Sequence, residues 1–181
     1  MSKKALIVVD HVNDFVHDKG ALTAGKPAQA ITPFICEKVS QFLENGDLVV
    51  CAYDDHDPND REFENWPVHC VRGTWGQEFY GELQELIESK KGDENLVLLP
   101  KKHYNAFDGT PLEKILQDYE VKEVHITGVC TSICVMLTTY GAYTRFYPTV
   151  VYKEGMADFM KQSEQAMVDE YFKTVFHTEV R

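Results

Sequence analysis

The sequence predicts an α/β fold: a mostly parallel sheet of about six strands with helices on both faces. Three observations predict it. Short apolar runs bounded by polar residues alternate with longer amphipathic segments along the whole chain. The runs are nearly continuous in apolar character, as strands buried on both faces are. The 181 residues, 44% hydrophobic and 26% charged, suit one domain, 1–181, with a single sizeable core.

The elements follow in order. KALIVVD, 4–10, is a first buried strand. PAQAITPFICEKVSQFLENG reads as a helix over about 27–45, limited or bent early by Pro33 and stopped by its ENG end. DLVVCAYD, 47–54, is the second strand, and a polar loop rich in Asp and His follows it. GQEFYGELQELIESKKG reads as a helix, with Phe79, Leu83 and Leu86 at helical spacing. NLVLLPK, 95–101, is the third strand. GTPLEKILQDYE opens a helix with Thr110 as N-cap, Pro111 in the first helical position and Glu113 completing a capping box. EVHITGV, 123–129, is the fourth strand, and TSICVMLTTYGAYTRF is the helix after it. PTVVYKEGMA gives a fifth strand, KQSEQAMVDEYF a helix and TVFHTEV a terminal strand.

The formal net charge of −11 argues against nucleic acid, whose phosphates need clustered Lys and Arg. No run reaches the apolar length that spans a bilayer. The N-terminal lysines and apolar run resemble a signal peptide, but Asp10 interrupts the run and no small-residue cleavage site follows. A cytoplasmic protein is the expectation. Its five cysteines, an odd number in a chain that is not small, are expected as free thiols. Cys36 and Cys51 lie among apolar residues and read as core fillers.

In parallel sheets, ligands sit outside the carboxyl ends of the strands. Asp10 ends the first strand, Asp54 the second with His56 just beyond, and Lys101 the third. The fourth runs through Gly128 into Cys130 and, one turn on, Cys134. A thiolate at Cys134 would be favoured by the helix N-terminus and by Lys101. Asp10 could take the thiol proton and return it to a leaving amine. Backbone N–H groups of the GVCTSIC turn could hold an oxyanion. Equally, Cys130 and Cys134 could both be buried small hydrophobes, Asp10 a turn former and Lys101 a solvated lysine. A zinc clip made by the cysteines lacks a second pair.

The loop YDDHDPNDREFENWPVHC carries Asp54, His56, Glu62 and His69, a mixed nitrogen and oxygen set suited to Zn, Fe or Mn. Asp54 and His56 alternate onto one strand face. Asp55, Asp57, Asp60 and Glu64 compete as ligands, and a plain acidic loop is the bland alternative. Phe15, Trp66 and Tyr104 lie just beyond these strand ends and could wall a flat apolar pocket or belong to the core.

The motifs LIVVDHVNDFV, YDDHDPNDREFENWPVHCVRGT, PKKHYNAFDGT and TGVCTSICV together resemble the isochorismatase-like cysteine hydrolases and, within them, the nicotinamidase (pyrazinamidase) branch. The resemblance covers most of the chain. It implies a three-layer αβα sandwich with a Rossmann-like sheet, and a triad of Asp10, Lys101 and Cys134. Lys101 rather than Lys102 fits, because Tyr104 then falls at its motif position. It also implies backbone oxyanion donors at Cys130 and Cys134 and a cis peptide before Cys130. The implied metal site is Asp54, His56, His69 and Glu62, holding one divalent ion per subunit, zinc ahead of iron or manganese. The loop from His56 to His69 is shorter than in nicotinamidases, but Glu62 keeps the expected distance to His69 and is preferred to Glu64.

The implied activity is hydrolysis of nicotinamide to nicotinate and ammonia through a cysteine thioester, a step of NAD salvage. Phe15, Trp66 and Tyr104 would hold the ring. A homo-oligomer, dimer or tetramer, is implied as well. The alternatives are a metal-free cysteine amidohydrolase acting on another small amide or carbamoyl compound, and an inactive binding protein on the same scaffold.

Overall fold

Among the described residues six strands, β1 (Lys3–Val9), β2 (Leu48–Asp54), β3 (Leu96–Lys101), β4 (Val121–Val129), β5 (Thr149–Ala157) and β6 (Glu179–Val180), form one sheet in the order β3-β2-β1-β4-β5-β6, and every neighbouring pair is parallel. The computed structural model describes residues 3–159 and 162–181. Successive strands lie side by side except at β1, where the chain goes outward to β3 and then returns to place β4 on the other flank. That reversal opens a crevice at the carboxyl ends of β1 and β4.

The side chains of each strand alternate between two cores. Leu6 and Val8 of β1 and Val49 and Cys51 of β2 pack under α1 (Asn13–Val16), α2 (Lys26–Ala30), α3 (Thr32–Glu44) and α4 (Glu82–Ser89). Ala5, Ile7, Leu48 and Val50 face the other way, toward α5 (Leu112–Asp118), α6 (Met136–Thr144) and α7 (Gln162–Thr174). This is the expected three-layer αβα sandwich, all-parallel rather than mostly so. Among the described residues no helix is long and apolar enough to cross a membrane.

Register aligns the strand ends. Val9 pairs with both Ala52 and Gly128, and Asp54 pairs with Lys101. Gly128 is required where β4 closes on β1: its φ is 123°, and a Cβ there would collide with the Val9 carbonyl.

Several boundaries differ from the sequence expectation. The first helix breaks at Ile31, ahead of Pro33. The helix expected from Gly76 begins only at Glu82, because Gly81 takes a φ of 54° and Trp75–Gln77 closes a separate short turn. α5 begins at Leu112, so Pro111 rather than Thr110 takes the cap position; Thr110 still accepts the N–H of Leu112 at 3.2 Å, but no capping box forms, because the Glu113 carboxylate is drawn to Arg145 at 2.8 Å. The terminal strand shortens to Glu179–Val180: α7 continues to Thr174, and Val175, Phe176 and Thr178 give their N–H groups back to the carbonyls of Tyr171 and Phe172. Lys161, expected to begin that helix, lies outside the described residues.

Candidate active site

β4 does not run straight into an α-helix. Residues Thr131–Val135 form a wider π-type turn, in which the Cys130 carbonyl accepts N–H groups from both Ile133 and Val135 at 3.1 Å. Such turns cluster at functional sites. The Val129–Cys130 peptide is cis. Asp158, beyond β5, accepts the Ser132 N–H at 2.6 Å and fixes the turn from outside. The turn sends the two cysteines to opposite sides of the sheet: Cys130 joins the α1–α4 core and Cys134 the α5–α7 core. Both still line one cavity of about 410 Å³.

Asp10 stands at the foot of that cavity. It takes the left-handed conformation, φ 53°, which short polar side chains enter most readily after glycine. Lys101 Nζ is 2.7 Å from Asp10 Oδ2, hydrogen-bonded to Asp54 Oδ1 and 4.0 Å from Cys134 Sγ. The ammonium is fully buried. Burial works against its charge, but the two carboxylates outweigh that and hold it protonated. Lys102 points outward and pairs with Asp57. The three expected catalytic side chains, Asp10, Lys101 and Cys134, are thus brought together.

Their electrostatics correct one expectation. The Cys134 thiol is pushed well up, not down: burial disfavours the thiolate and, with Asp10 and Asp54 adding to it, outweighs the help of Lys101. The resting nucleophile is therefore a thiol facing a carboxylate. Burial and the Asp54 charge raise Asp10 itself to about 7, against the pull of Lys101. The Asp10–Lys101 approach is an ion pair without hydrogen-bond alignment, so both Asp10 oxygens remain free of an aligned partner. A carboxylate in that state can accept a proton at neutral pH.

Asp54 joins this group to a second one. Its Oδ1 holds Lys101, while its Oδ2 lies 3.6 Å from His56 Nε2 and 3.8 Å from His69 Nε2. Burial opposes its charge as well, but Lys101 and His56 prevail and keep it at about 2. Ligand atoms of Asp54, His56 and His69 all lie within 4.8 Å of one another. His69 Nδ1 is 2.7 Å from the Pro67 carbonyl, which can only accept, so its proton sits there and Nε2 keeps its lone pair. His56 Nδ1 faces Asp60 at 3.2 Å. Two imidazole nitrogens and one carboxylate, turned inward and buried, fit a divalent metal with positions left open.

Glu62, expected as a fourth ligand, does not enter this group. It sits on the short turn Arg61–Glu64, and its carboxylate accepts the Tyr104 hydroxyl at 2.9 Å. Tyr104 in turn accepts the Trp66 indole N–H at 2.9 Å. Phe15, Trp66 and Tyr104 all line the cavity, with Phe15 against the His69 ring at 5.5 Å.

Residues 4–179 match the isochorismatase domain. The chain belongs to the isochorismatase family. It is 40% identical over 163 residues to the uncharacterized isochorismatase family protein PncA of Bacillus subtilis (strain 168), covering 88% of this chain and 89% of that one. The crystal structure of nicotinamidase/pyrazinamidase PncA from Bacillus subtilis matches with a TM-score of 0.95 at 39% identity, covering 98% of each chain. Pyrazinamidase of Pyrococcus horikoshii in complex with zinc matches with a TM-score of 0.86 at 30% identity, covering 99% of this chain and 98% of that one. A single divalent metal ion is the cofactor that this isochorismatase-family site fits.

Sequence reading missed part of the cavity wall. Leu22 and Thr23 arrive from the loop before α2, Ile133 from the π-type turn and Phe159 from beyond β5. Asp158 was missed as well. Nothing in local spacing marks them, because tertiary packing alone brings them to the mouth.

Proposed function

We propose that this chain is a nicotinamidase, hydrolysing nicotinamide to nicotinate and ammonia. The carrying observation is that Asp10 and Cys134, with Lys101 behind them, meet at the foot of a cavity that Asp54 and His69 of the Asp54–His56–His69 group also line. Phe15, Trp66 and Tyr104 take the flat ring between them and keep bulk water off the carboxamide. Asp54, His56 and His69 would hold a divalent ion, which would supply Lewis-acid chemistry toward the ring nitrogen.

Cys134 Sγ attacks the carboxamide carbon as Asp10 takes the thiol proton, so no free thiolate accumulates. The oxyanion is held by the backbone N–H groups of Cys130 and Cys134. Asp10 then gives its proton to the amide nitrogen, the C–N bond breaks, and ammonia leaves behind a thioester. Water attacks the thioester carbon while Asp10 removes one of its protons. The C–S bond breaks, Asp10 returns its proton to sulfur, and the product acid departs, giving its remaining proton to solvent to become nicotinate. Lys101 stays charged throughout and balances Asp10 whenever that carboxylate is ionised.

We further read residues 1–181 as one hydrolase domain, acting in the cytoplasm as a homo-oligomer. The family match over 4–179 supports the first point, the N-terminal run that Asp10 interrupts the second, and the resemblance to nicotinamidases the third. Ammonia release from nicotinamide, before and after chelation and again after zinc is returned, tests the reading. Turnover that falls on chelation and recovers with zinc is expected. Full turnover in chelated protein would rule out a metal-held ring.

A further inference from the structure

Asp14 is a buried carboxylate that the proposed chemistry does not use. It lies on α1, four residues after Asp10, and is 9% exposed. Its Oδ2 accepts the backbone N–H of Cys70 at 2.7 Å, and its Oδ1 accepts that of Ala21 at 3.1 Å. Its main-chain carbonyl accepts the N–H of Leu22 at 3.0 Å. Hydrogen bonds to an ionised acceptor are about twice as strong as neutral ones.

The donors belong to two different parts of the site. Ala21 and Leu22 line the cavity. Cys70 directly follows His69, takes a left-handed φ of 45°, and offers its own carbonyl to the His56 N–H at 3.1 Å. Gly76 packs on the same carboxylate so closely that a Cβ would overlap it. One side chain therefore ties the wall at 21–22 to the turn that carries His69.

We propose that Asp14 is a positioning residue that fixes the ring-facing wall and the metal-binding turn in one relation. The proposal rests on the nicotinamidase reading for its substrate arm only. Asp14→Asn keeps the shape but replaces one acceptor oxygen with a donor. Whichever way the amide turns, it faces one of the two backbone N–H groups with another N–H. Metal binding and ring binding should both loosen, whereas a merely structural role would lower the melting temperature alone.

The experiment compares wild type and Asp14→Asn in two measurements. Zinc affinity is read by competition with a chromophoric chelator, and KM and kcat for nicotinamide are read at saturating zinc. The expected result is zinc affinity weaker by about 10- to 100-fold, the range for residues that support metal ligands. KM should rise several-fold with kcat nearly unchanged. Wild-type zinc affinity in the variant overturns the proposal, whereas a wild type that does not hydrolyse nicotinamide overturns only the reading of function. Should the variant not fold, amide hydrogen exchange on the wild type decides: zinc should slow exchange at Ala21 as well as at Cys70. An Ala21 amide indifferent to zinc overturns the link.

Discussion

Asp10, just past the end of β1, and His125, on the neighbouring β4, are both buried, yet their surroundings differ. Neither Asp10 oxygen has an aligned hydrogen-bond partner, and a cavity opens beside it. Both ring nitrogens of His125 are engaged, Nδ1 with the Tyr152 hydroxyl and Nε2 with Glu123, each at 2.7 Å. Phe42 covers the same ring at 5.1 Å, and Lys4 neutralises Glu123 at 2.8 Å. Buried ionisable groups alone therefore do not mark a reactive site. What marks it is a buried group left short of partners where a small molecule can reach it.

The largest expected effect tests the reactive side of this comparison. Cys134→Ala should lower kcat for nicotinamide by roughly 10⁴-fold or more, as loss of a nucleophile does. Cys130→Ala removes a thiol on the same cavity wall but leaves the backbone donors in place, so its kcat should stay within about tenfold, well short of losing an oxyanion donor. Steady-state ammonia release from both variants, at matched zinc content, makes the test. Similar losses in the two would mean that the turn, rather than the sulfur of Cys134, carries the reaction.

Much of the reactive side was legible in the sequence. Asp10, Asp54 and Lys101 each end a run of apolar residues, and in an all-parallel sheet such ends converge. Asp54 and His56 alternate onto one face because strand side chains do. Other features depend on tertiary contacts that no local pattern encodes. The direction of the Cys134 shift came out reversed, because helix-end reasoning omits burial and the two carboxylates around the thiol. Glu113 left its capping box for Arg145, and Glu62 turned to Tyr104, each because a partner distant in sequence lay within reach. The last strand shrank because α7 kept its hydrogen bonds further than composition suggested.

A smaller effect follows from pH. Asp10 must be ionised to take the thiol proton, and burial with the Asp54 charge raises it to about 7. The protonated form therefore predominates below that value, and kcat/KM should fall about tenfold per unit as pH drops further. Zinc bound at Asp54 would offset that charge but not the burial, so the acid limb of kcat/KM, measured from acid to alkaline pH on the zinc-loaded enzyme, should lie above the ordinary carboxylate range and no higher than about 7. An acid limb near the ordinary carboxylate range, about 4, would show that Asp10 is not the proton acceptor described.

The smallest effect on turnover is expected on the satisfied side, from His125→Phe. Phenylalanine keeps the packing against Phe42 and the Tyr152 ring but leaves the Tyr152 hydroxyl and Glu123 without their histidine partner. Losing such a partner costs about 1–3 kcal/mol, and a chain of this size shifts by about 2–4 °C for each kcal/mol. The melting temperature should fall accordingly at neutral pH, with kcat within about twofold of wild type. Acid should narrow the gap. Burial holds the His125 pKa below the ordinary histidine value despite Glu123, so the stability that the neutral ring contributes is present above about 6.5 and declines as pH falls. The variant lacks that contribution to the decline, so its melting curve should approach the wild-type curve toward acid. A variant that keeps wild-type stability at every pH would mean that the full set of hydrogen bonds around His125 is not what separates it from Asp10.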